Sequence, residues 1–264
     1  MNCRWLGCAG VELESEGATL VIDPLLEPAG LYSLLGERAA GVELPDVVAG
    51  RSGAVAGLLT HLHRDHADAG ALAQALAAEA PVLMPAHVGP EGLRADTSQL
   101  QAQAELDASG LTQSRVSAWD SFELGPFKVT AVPAADGLGD PQVSWVVEAG
   151  GHRVFHGGDT VFHGWWWRIA EAFGGFDAAF LPINAAAVDF PWLTPASGAP
   201  ATLTPELAVR AGAALRAGTI VPMHFGGFEL APFYLPVADP LGRFERAAAA
   251  DGVVVTPLAV GGVM

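Results

Sequence analysis

The sequence predicts an α/β fold with two sheets, each covered on its outer side by helices. Three observations carry that expectation. Short apolar segments with strand character come in runs, and segments with helical starts interrupt them, a mixture that layers helices onto sheets. The chain has 264 residues, 51% hydrophobic and 16% charged. That is enough for one large core and too apolar for disorder. No stretch reads as a linker and no repeat of fixed period is visible. Residues 1–264 are therefore expected to form one domain, with loop insertions near 28–53 and 185–203.

Taken in order, residues 4–6, 11–13 and 19–22 are short strands separated by Gly turns. Residues 28–53 carry Gly and Pro without periodicity and read as an insertion or lid. Residues 57–60 form a short buried strand that ends at a histidine cluster. A helix over 68–80 follows, with Leu72 and Leu76 four apart on one face. Residues 81–84 read as a strand, and 88–110 as polar and partly helical. Segments 127–132, 143–148 and 153–155 are successive strands, 165–173 a helix and 178–181 a buried strand. Residues 185–203, rich in Pro and Ala, read as a surface excursion. Thr204-Pro205-Glu206 is a helix start, with Thr as N-cap and Pro at the first helical position, and that helix should run to about Ala217. A strand over 219–223, a helix over 240–250 and a last strand over 253–256 complete the chain.

The formal net charge is −16, with only 13 Lys plus Arg and no basic run. Nucleic-acid binding depends on cations that neutralise phosphates, so it is not expected. The charge mainly serves solubility, and a bound metal would reverse the field locally. Cys3 and Cys8 are too few and too poorly spaced for a disulfide scaffold or a metal site. Read as one strand, that segment points them to opposite faces, which suits a reduced, cytoplasmic protein. There is no signal-peptide pattern, and no apolar run is long enough for membrane insertion.

Three of the eight histidines fall in His61-Leu62-His63-Arg64-Asp65-His66. In an extended segment side chains two apart point the same way, so His61 and His63 can reach one cation. Asp65 and His66, past the turn, can face a second site nearby. Neutral imidazole and carboxylate suit Zn²⁺, and also Mn²⁺ or Fe²⁺. Ligand types this dense, directly after an apolar strand, outweigh the reading of a surface histidine run. Asp159 follows Val154-Phe155-His156-Gly157-Gly158, and His224 follows Ile220-Val221-Pro222-Met223, so each stands at a strand end. Ligand types at the ends of three apolar strands can converge on one edge of a core, where α/β folds place their sites. Alone, Asp159 also reads as a cap or turn residue, and His224 as a core histidine.

These segments resemble the metallo-β-lactamase superfamily. His61 to His66 matches its His-x-His-x-Asp-His motif. Gly157-Gly158-Asp159-Thr160 resembles its bridging-aspartate motif, and Pro222-Met223-His224-Phe225-Gly226 its last histidine motif. Leu20-Val21-Ile22-Asp23-Pro24 resembles the early strand that supplies a structural aspartate. The resemblance spans nearly the whole chain. It is nearest to the branch of the ascorbate-6-phosphate lactonases and N-acyl-phosphatidylethanolamine phospholipase D. It implies a four-layer αββα metallo-β-lactamase sandwich and a hydrolase with two Zn²⁺ ions, Mn²⁺ or Fe²⁺ being alternatives. One metal would sit on His61 and His63, the second on Asp65, His66 and His224, with Asp159 bridging. A metal-bound hydroxide would be the nucleophile, and the metals would polarise the attacked oxygen. Asp65 would orient the hydroxide or carry its proton, and Asp23 would hold a ligand in place.

The chain departs from the family pattern once. Another histidine is expected between the first cluster and the bridging aspartate, and Val132-Pro133-Ala134-Ala135-Asp136-Gly137 has Asp136 there. Either Asp136 ligates the first metal in an oxygen-richer site, or His163 substitutes, or the first site is weak or empty. His163 is also a candidate acid, substrate contact or helix-start residue. His156 can face either way, while His87 and His152 read as structural or surface residues. Trp165-Trp166-Trp167 cannot share one helix face, so at least one is core and another is free to wall a pocket. Phe190, Trp192, Phe225, Phe228, Phe233 and Tyr234 read first as core and loop anchors and second as an aromatic pocket. Arg64 reads as solvent-facing, or else as a contact for an anionic substrate group.

The leading functional expectation is cleavage of a small-molecule lactone, ester or amide, lactone and ester first. A phosphodiesterase acting on a lipid or nucleotide-like substrate comes next, and a nuclease lower. A non-catalytic metal-binding or sensing protein, or an iron redox protein, are the other classes. The lactonase branch also suggests a homo-oligomer.

Overall fold

A computed structural model describes residues 1–29, 42–86, 97–190 and 193–264. Residues 30–41 of the expected insertion, His87 and Trp192 lie outside the described residues. The chain opens with an antiparallel meander of β1 (Asn2–Gly7), β2 (Gly10–Ser15) and β3 (Ala18–Ile22). The next three strands add in parallel: β4 (Gly57–Leu58), β5 (Pro81–Pro85) and β6 (Thr112–Val116). Helix α1 (Ala69–Ala75) connects β4 to β5, and α2 (Thr97–Ser109) connects β5 to β6. The order in this sheet is β1-β2-β3-β4-β5-β6.

The second sheet repeats the plan. β7 (Ser121–Leu124), β8 (Phe127–Pro133), β9 (Val143–Ala149) and β10 (His152–His156) are antiparallel neighbours. Helix α3 (Trp166–Phe173) leads to β11 (Phe176–Pro182), and α4 (Pro205–Ala214) to β13 (Ala217–Met223). β10, β11 and β13 pair in parallel, giving the order β13-β11-β10-β9-β8-β7. β12 (Ala187–Val188) and β14 (Tyr234–Leu235) form a small ribbon, and α5 (Pro240–Asp251) follows.

Parallel neighbours need crossover helices, and those helices must cover a sheet face. α1 and α2 accordingly pack over the first sheet through Leu72, Val82, Ala102 and Leu106. α3, α4 and α5 pack over the second through Phe155, Trp166, Ile169, Val209 and Phe244. Between the sheets lies a core that includes Leu13, Ile22, Leu58, Phe127, Val129, Trp145 and Val221. The layers are therefore αββα, as expected. Two hydrogen bonds tie the sheets together beside the future site: Trp145 Nε1 donates to the Leu59 carbonyl (3.1 Å) and the Val143 amide to the Thr60 carbonyl (2.9 Å). Among the described residues no helix is long and apolar enough to cross a membrane.

Several elements differ from the sequence reading. α1 stops at Ala75 because Leu76 turns extended, and the chain on either side of it pairs with Ala54. The Ala-rich segment has no preference strong enough to resist that pairing. β6 and β7 were not expected, since they are polar and lie at the two sheet edges, where alternation of apolar residues is not enforced. Residues 253–256 make one parallel bridge, Ile220 to Val255, and no full strand. The 185–203 segment is not wholly a surface excursion: Ala185, Ala186, Val188, Ala201 and Leu203 are buried, and only its described middle is exposed. Cys8 is not in the strand with Cys3 but in the turn after it, at φ +48; both are buried and free. α4 ends at Ala214, three residues before the expected limit, because Ala217 already opens β13. Its Thr204 cap and Pro205 start are as read, with Thr204 Oγ1 accepting from the Leu207 amide (3.2 Å).

Candidate metal centre

The C-terminal ends of the parallel strands open on one rim. β3 runs into Asp23, β4 toward Thr60 and His61, β10 toward Asp159, β11 toward Asn184 and β13 into His224. β8 runs the same way as β10 and leads to Asp136. Asp23 and His224 take left-handed backbone angles, φ +44 and +54. Asp and His tolerate that region better than most residues, and held strain of this kind marks functional rims.

Each clustered histidine of 61–66 has one ring nitrogen anchored from behind. Wholly buried Asp23 accepts the Thr60 amide at Oδ1 (2.8 Å), and at Oδ2 the Thr60 hydroxyl (2.6 Å) and His66 Nδ1 (2.8 Å). Having donated its proton, Thr60 Oγ1 can only accept from His61 Nδ1 (3.1 Å). Asp140 Oδ2 accepts from His63 Nε2–H (2.6 Å), and Asp140 is itself held by the Gln99 amide. The free lone pairs are therefore Nε2 of His61, Nδ1 of His63 and Nε2 of His66. His61 Nε2 and His63 Nδ1 face each other at 2.9 Å. Two lone pairs at that separation repel unless a cation, proton or metal ion, sits with them.

A second group adjoins the first, with the His61 and His66 ring centroids 4.1 Å apart. His224 Nε2 lies 3.1 Å from Asp65 Oδ2 and 3.3 Å from Asp159 Oδ1. His66 Nε2 lies 3.4 Å from Asp159 Oδ1 and 3.7 Å from Asp65 Oδ2. Zinc–ligand bonds of about 2.0–2.1 Å in a tetrahedron imply edges of about 3.3–3.4 Å, so these spacings suit one ion among four donors. His66 Nε2 and Asp159 Oδ1 are buried with no hydrogen-bond partner among the described residues, as atoms reserved for a cation would be.

Asp136 completes the first group. One carboxylate oxygen accepts the Leu138 and Asp140 amides (2.5 and 3.3 Å), and the carboxylate falls within ligand range of His61 and His63. The loop is pressed against Ala201 at Gly137, where a Cβ would stand 2.3 Å from the Ala201 carbonyl oxygen. The structure thus groups Asp65, His66, Asp159 and His224, and separately His61, His63 and Asp136. It places Asp159 in the second group. It does not bring His163 into either group: its Nδ1 accepts the Trp165 amide (3.1 Å) and its ring stacks on Trp166 at 4.3 Å. The substitution of His163 for the expected ligand is therefore not formed.

The electrostatics follow this packing. Burial would lower the His63 pKa, but the Asp140 hydrogen bond and the Asp136, Asp140 and Asp65 charges push it up to about 9. Burial, helped by the Asp140 charge, pushes Asp136 up to about 6 against the pull of His63 and two amides. Burial and the neighbouring imidazoles hold His61 well below its ordinary value. Burial opposes ionisation of Asp65 and Asp159, yet the facing His66 and His224 hold both below the usual carboxylate range. Burial alone brings His163 down to about 4.

Other candidates resolve into structural roles. Arg64 is not solvent-facing: its Nε sits 2.8 Å from Glu105 and its side chain is 13% exposed. His156 is buried, with Nε2 on the Ala9 carbonyl (2.8 Å), and His152 is exposed beside Asp177. Trp166 is core, whereas Trp165 and Trp167 are exposed. Phe225 stacks on Trp5, and Phe228 packs with Cys8 and Leu25. Sequence reasoning missed Thr60, Asp140 and Asn184, and read Tyr234 as a loop anchor or pocket aromatic without its link to Asn184. Asn184 Nδ2 stands 2.9 Å from His224 Nδ1 and 2.6 Å from Tyr234 OH. Its one signal was a polar residue at the end of an apolar strand.

The family described as beta-lactamase superfamily domain matches residues 19–225, a stretch that holds both donor groups. The chain belongs to the beta-lactamase superfamily. Its fold is that of the superfamily's metal-dependent hydrolases. An uncharacterized protein of Mycobacterium tuberculosis is 28% identical over 267 residues, covering 95% of this chain. The chain spans 65% of that relative's length. A UPF0173 metal-dependent hydrolase of Thermus thermophilus is 28% identical over 262 residues, covering 96% of this chain and 93% of the relative. Among solved structures, Igni18, a metallo hydrolase from Ignicoccus hospitalis, superposes with a TM-score of 0.65 at 17% identity, over 100% of this chain and 97% of that one.

Proposed function

We propose that the protein is a metal-dependent hydrolase that uses two metal ions to cleave a small-molecule lactone, ester or amide, lactone or ester foremost. Zn²⁺ is the first choice, with Mn²⁺ or Fe²⁺ as alternatives, because the donors are imidazoles and carboxylates. His61, His63 and Asp136 would hold one ion and Asp65, His66, Asp159 and His224 the other, with Asp159 the candidate bridge. The observation that carries this reading is the pair of facing ring nitrogens, His61 Nε2 and His63 Nδ1 at 2.9 Å, held from behind by buried Thr60 and part-buried Asp140. When bound, the ions would acidify a water and polarise the attacked carbonyl.

The chain's own groups supply the rest. Asp65 is the most exposed carboxylate of its group, with 21% of its side chain exposed, and His66 and His224 keep it ionised. It is placed to orient the nucleophile or to carry its proton. His163 stays neutral at working pH, and because Nδ1 accepts the Trp165 amide, Nε2 carries the hydrogen. That Nε2 is buried without a partner among the described residues and is a candidate donor to a substrate oxygen. The guanidinium inside the motif is engaged by Glu105 and lies 3.9 Å from Asp68, which favours a neutral carbonyl substrate over a phosphodiester. The net charge of −16 favours a small substrate over nucleic acid. Two free, buried cysteines suit a reducing, cytoplasmic setting. This reading takes 1–264 as one domain and leaves room for a homo-oligomer.

The test is elemental analysis of the full chain purified without added metal. Zn²⁺ or Mn²⁺ reloading and a panel of lactones, esters, amides and phosphodiesters then follow. Two equivalents of metal and metal-dependent lactone or ester cleavage are expected. Turnover of phosphodiesters alone overturns the substrate class. Two bound ions without any turnover indicate a sensing protein. No metal and no uptake on titration refute the enzyme reading.

A further inference from the structure

His224 is anchored differently from the other ligand histidines. His61, His63 and His66 each face an acceptor behind the ring, whereas His224 Nδ1 faces the Asn184 carboxamide. In one orientation Nδ2 points at His224 Nδ1 (2.9 Å) and Oδ1 accepts the Thr202 hydroxyl. An amide donor there would require a lone pair on Nδ1 and put the ring hydrogen on Nε2, against Asp65 and Asp159. A ring so protonated cannot ligate at Nε2, the one nitrogen that converges with the other donors.

The two ends of a carboxamide fill the same volume, and the hydroxyls of Tyr234 and Thr202, which can each donate or accept, can meet either end. Turned over, Asn184 Oδ1 accepts both His224 Nδ1–H and the Tyr234 hydroxyl, while Nδ2 donates to Thr202 Oγ1. Thr202 Oγ1 already accepts the Ala185 amide (3.1 Å) and has a second lone pair for this bond. Asn184, Thr202 and His224 are all buried, so no bulk water replaces a missing partner. Cys8 also lines this side of the ring, and its thiol is the competing acceptor.

We propose that Asn184 is a positioning residue for the second metal: its carboxamide, braced by Tyr234 and Thr202, accepts the hydrogen bond of His224 Nδ1–H at Oδ1 and leaves Nε2 free to ligate. This rests on the reading that His224 is a ligand. Asn184 touches neither metal nor substrate. It acts through the ring, as acceptors behind metal-bound histidines do.

The experiment titrates the metal-stripped full chain with Co²⁺, followed by visible absorption, in the parent and in Asn184→Leu, Asn184→Asp, Cys8→Ala and His224→Ala. Long-range ¹H–¹⁵N spectra of the Zn²⁺-loaded proteins report the ring tautomer. Asn184→Leu is expected to weaken one of the two binding steps by about 10- to 100-fold and to lose the slowly exchanging His224 Nδ1–H signal. Asn184→Asp keeps an acceptor and is expected to keep both the affinity and the signal. Cys8→Ala is expected to change the affinity less than twofold. If Asn184→Leu fails to fold, Asn184→Asp still decides, since loss of its Nδ1–H signal or a tenfold weaker step overturns the proposal. So does a Cys8→Ala that matches the expected Leu effect. Should His224→Ala retain two equivalents of Co²⁺, the ligand reading itself fails. Should it lose one while Asn184→Leu loses none and binds within twofold, the Asn184 proposal falls alone.

Discussion

Replacing Asp136 with asparagine should move stability in opposite directions in the stripped and loaded protein. Asp136 is enclosed, and burial with the nearby Asp140 charge raises its pKa from the ordinary 3.8 to about 6. A carboxyl whose folded pKa exceeds its unfolded pKa costs stability when ionised. The penalty is absent below about pH 4, grows between pH 4 and 6, and is complete above 6. A shift of about two units corresponds to about 3 kcal/mol at 1.36 kcal/mol per unit. This is an upper bound, because the Asp136 charge also helps hold the His63 proton, and that part is lost with it. Asparagine keeps the oxygen that accepts the Leu138 and Asp140 amides, so the loop geometry should survive. Stripped Asp136→Asn should therefore be more stable than the parent at pH 8, by up to about 3 kcal/mol, and equal to it near pH 4. Loaded with Zn²⁺, the variant should instead lose stability and bind one ion weakly, since a neutral amide is a poor ligand. Urea unfolding at both pH values, with and without metal, measures all four states. A stripped variant less stable than the parent at pH 8, or a variant that binds two ions as tightly as the parent, refutes the reasoning.

The other predictions concern the groups behind the donors. Asp140→Ala should weaken uptake of one ion by about 10- to 100-fold and leave the other unchanged, read by calorimetric titration, because the ring it anchors, His63, and the carboxylate it acts on, Asp136, both belong to the first group. Gly158→Ala should cost about 1–3 kcal/mol and weaken both metals: its φ is +62 and a Cβ would stand 2.7 Å from Thr60, which holds His61 and Asp23. Metal uptake at pH 7 should release protons, because the carboxylates around His63 raise its pKa to about 9 against burial, and a ligating Nδ1 must be bare. Calorimetry in buffers of different ionisation heat counts them, and a count of zero removes His63 from the ligands. Chelation should lower the thermal midpoint, since an ion bound only by the folded chain stabilises it.

Much of this was legible in the sequence where chemistry and strand pattern coincided. The His61 to His66 run, Asp159 and His224 follow apolar strands, so residue type and position pointed together. Asp23 was legible by resemblance, and the structure shows its work as an acceptor for Thr60 and His66. What stayed hidden depends on contacts distant in sequence. Asp140 reaches His63 across 77 positions and Asn184 reaches His224 across 40, and neither residue carries a local pattern. β6 and β7 were hidden for another reason: edge strands answer to solvent on one side, so their polar sequences are permitted. Arg64 misled because exposure was inferred from residue type, whereas Glu105 on α2 pairs with it.

The distribution of candidate donors over the two sheets would give bound metals a structural consequence. The first sheet supplies His61, His63, Asp65 and His66, all from the loop after β4, and the second supplies Asp136, Asp159 and His224 from three strand ends. Each group takes ligands from both sides, so each bound ion would clamp the sheets at the rim. Without a cation, the rim sets lone pairs against each other and carboxylates beside one another, held only by shared protons. The interior below is apolar and tied by the Trp145 to Leu59 hydrogen bond, so it does not need the clamp. Stability is therefore unequal along the sandwich: the core keeps the fold, while the rim keeps its geometry only to the extent that Asp23, Asp140 and Asn184 hold the rings from behind. On the proposed reading, those three residues would let a site built from two sheets wait in near-ligating geometry for its ions.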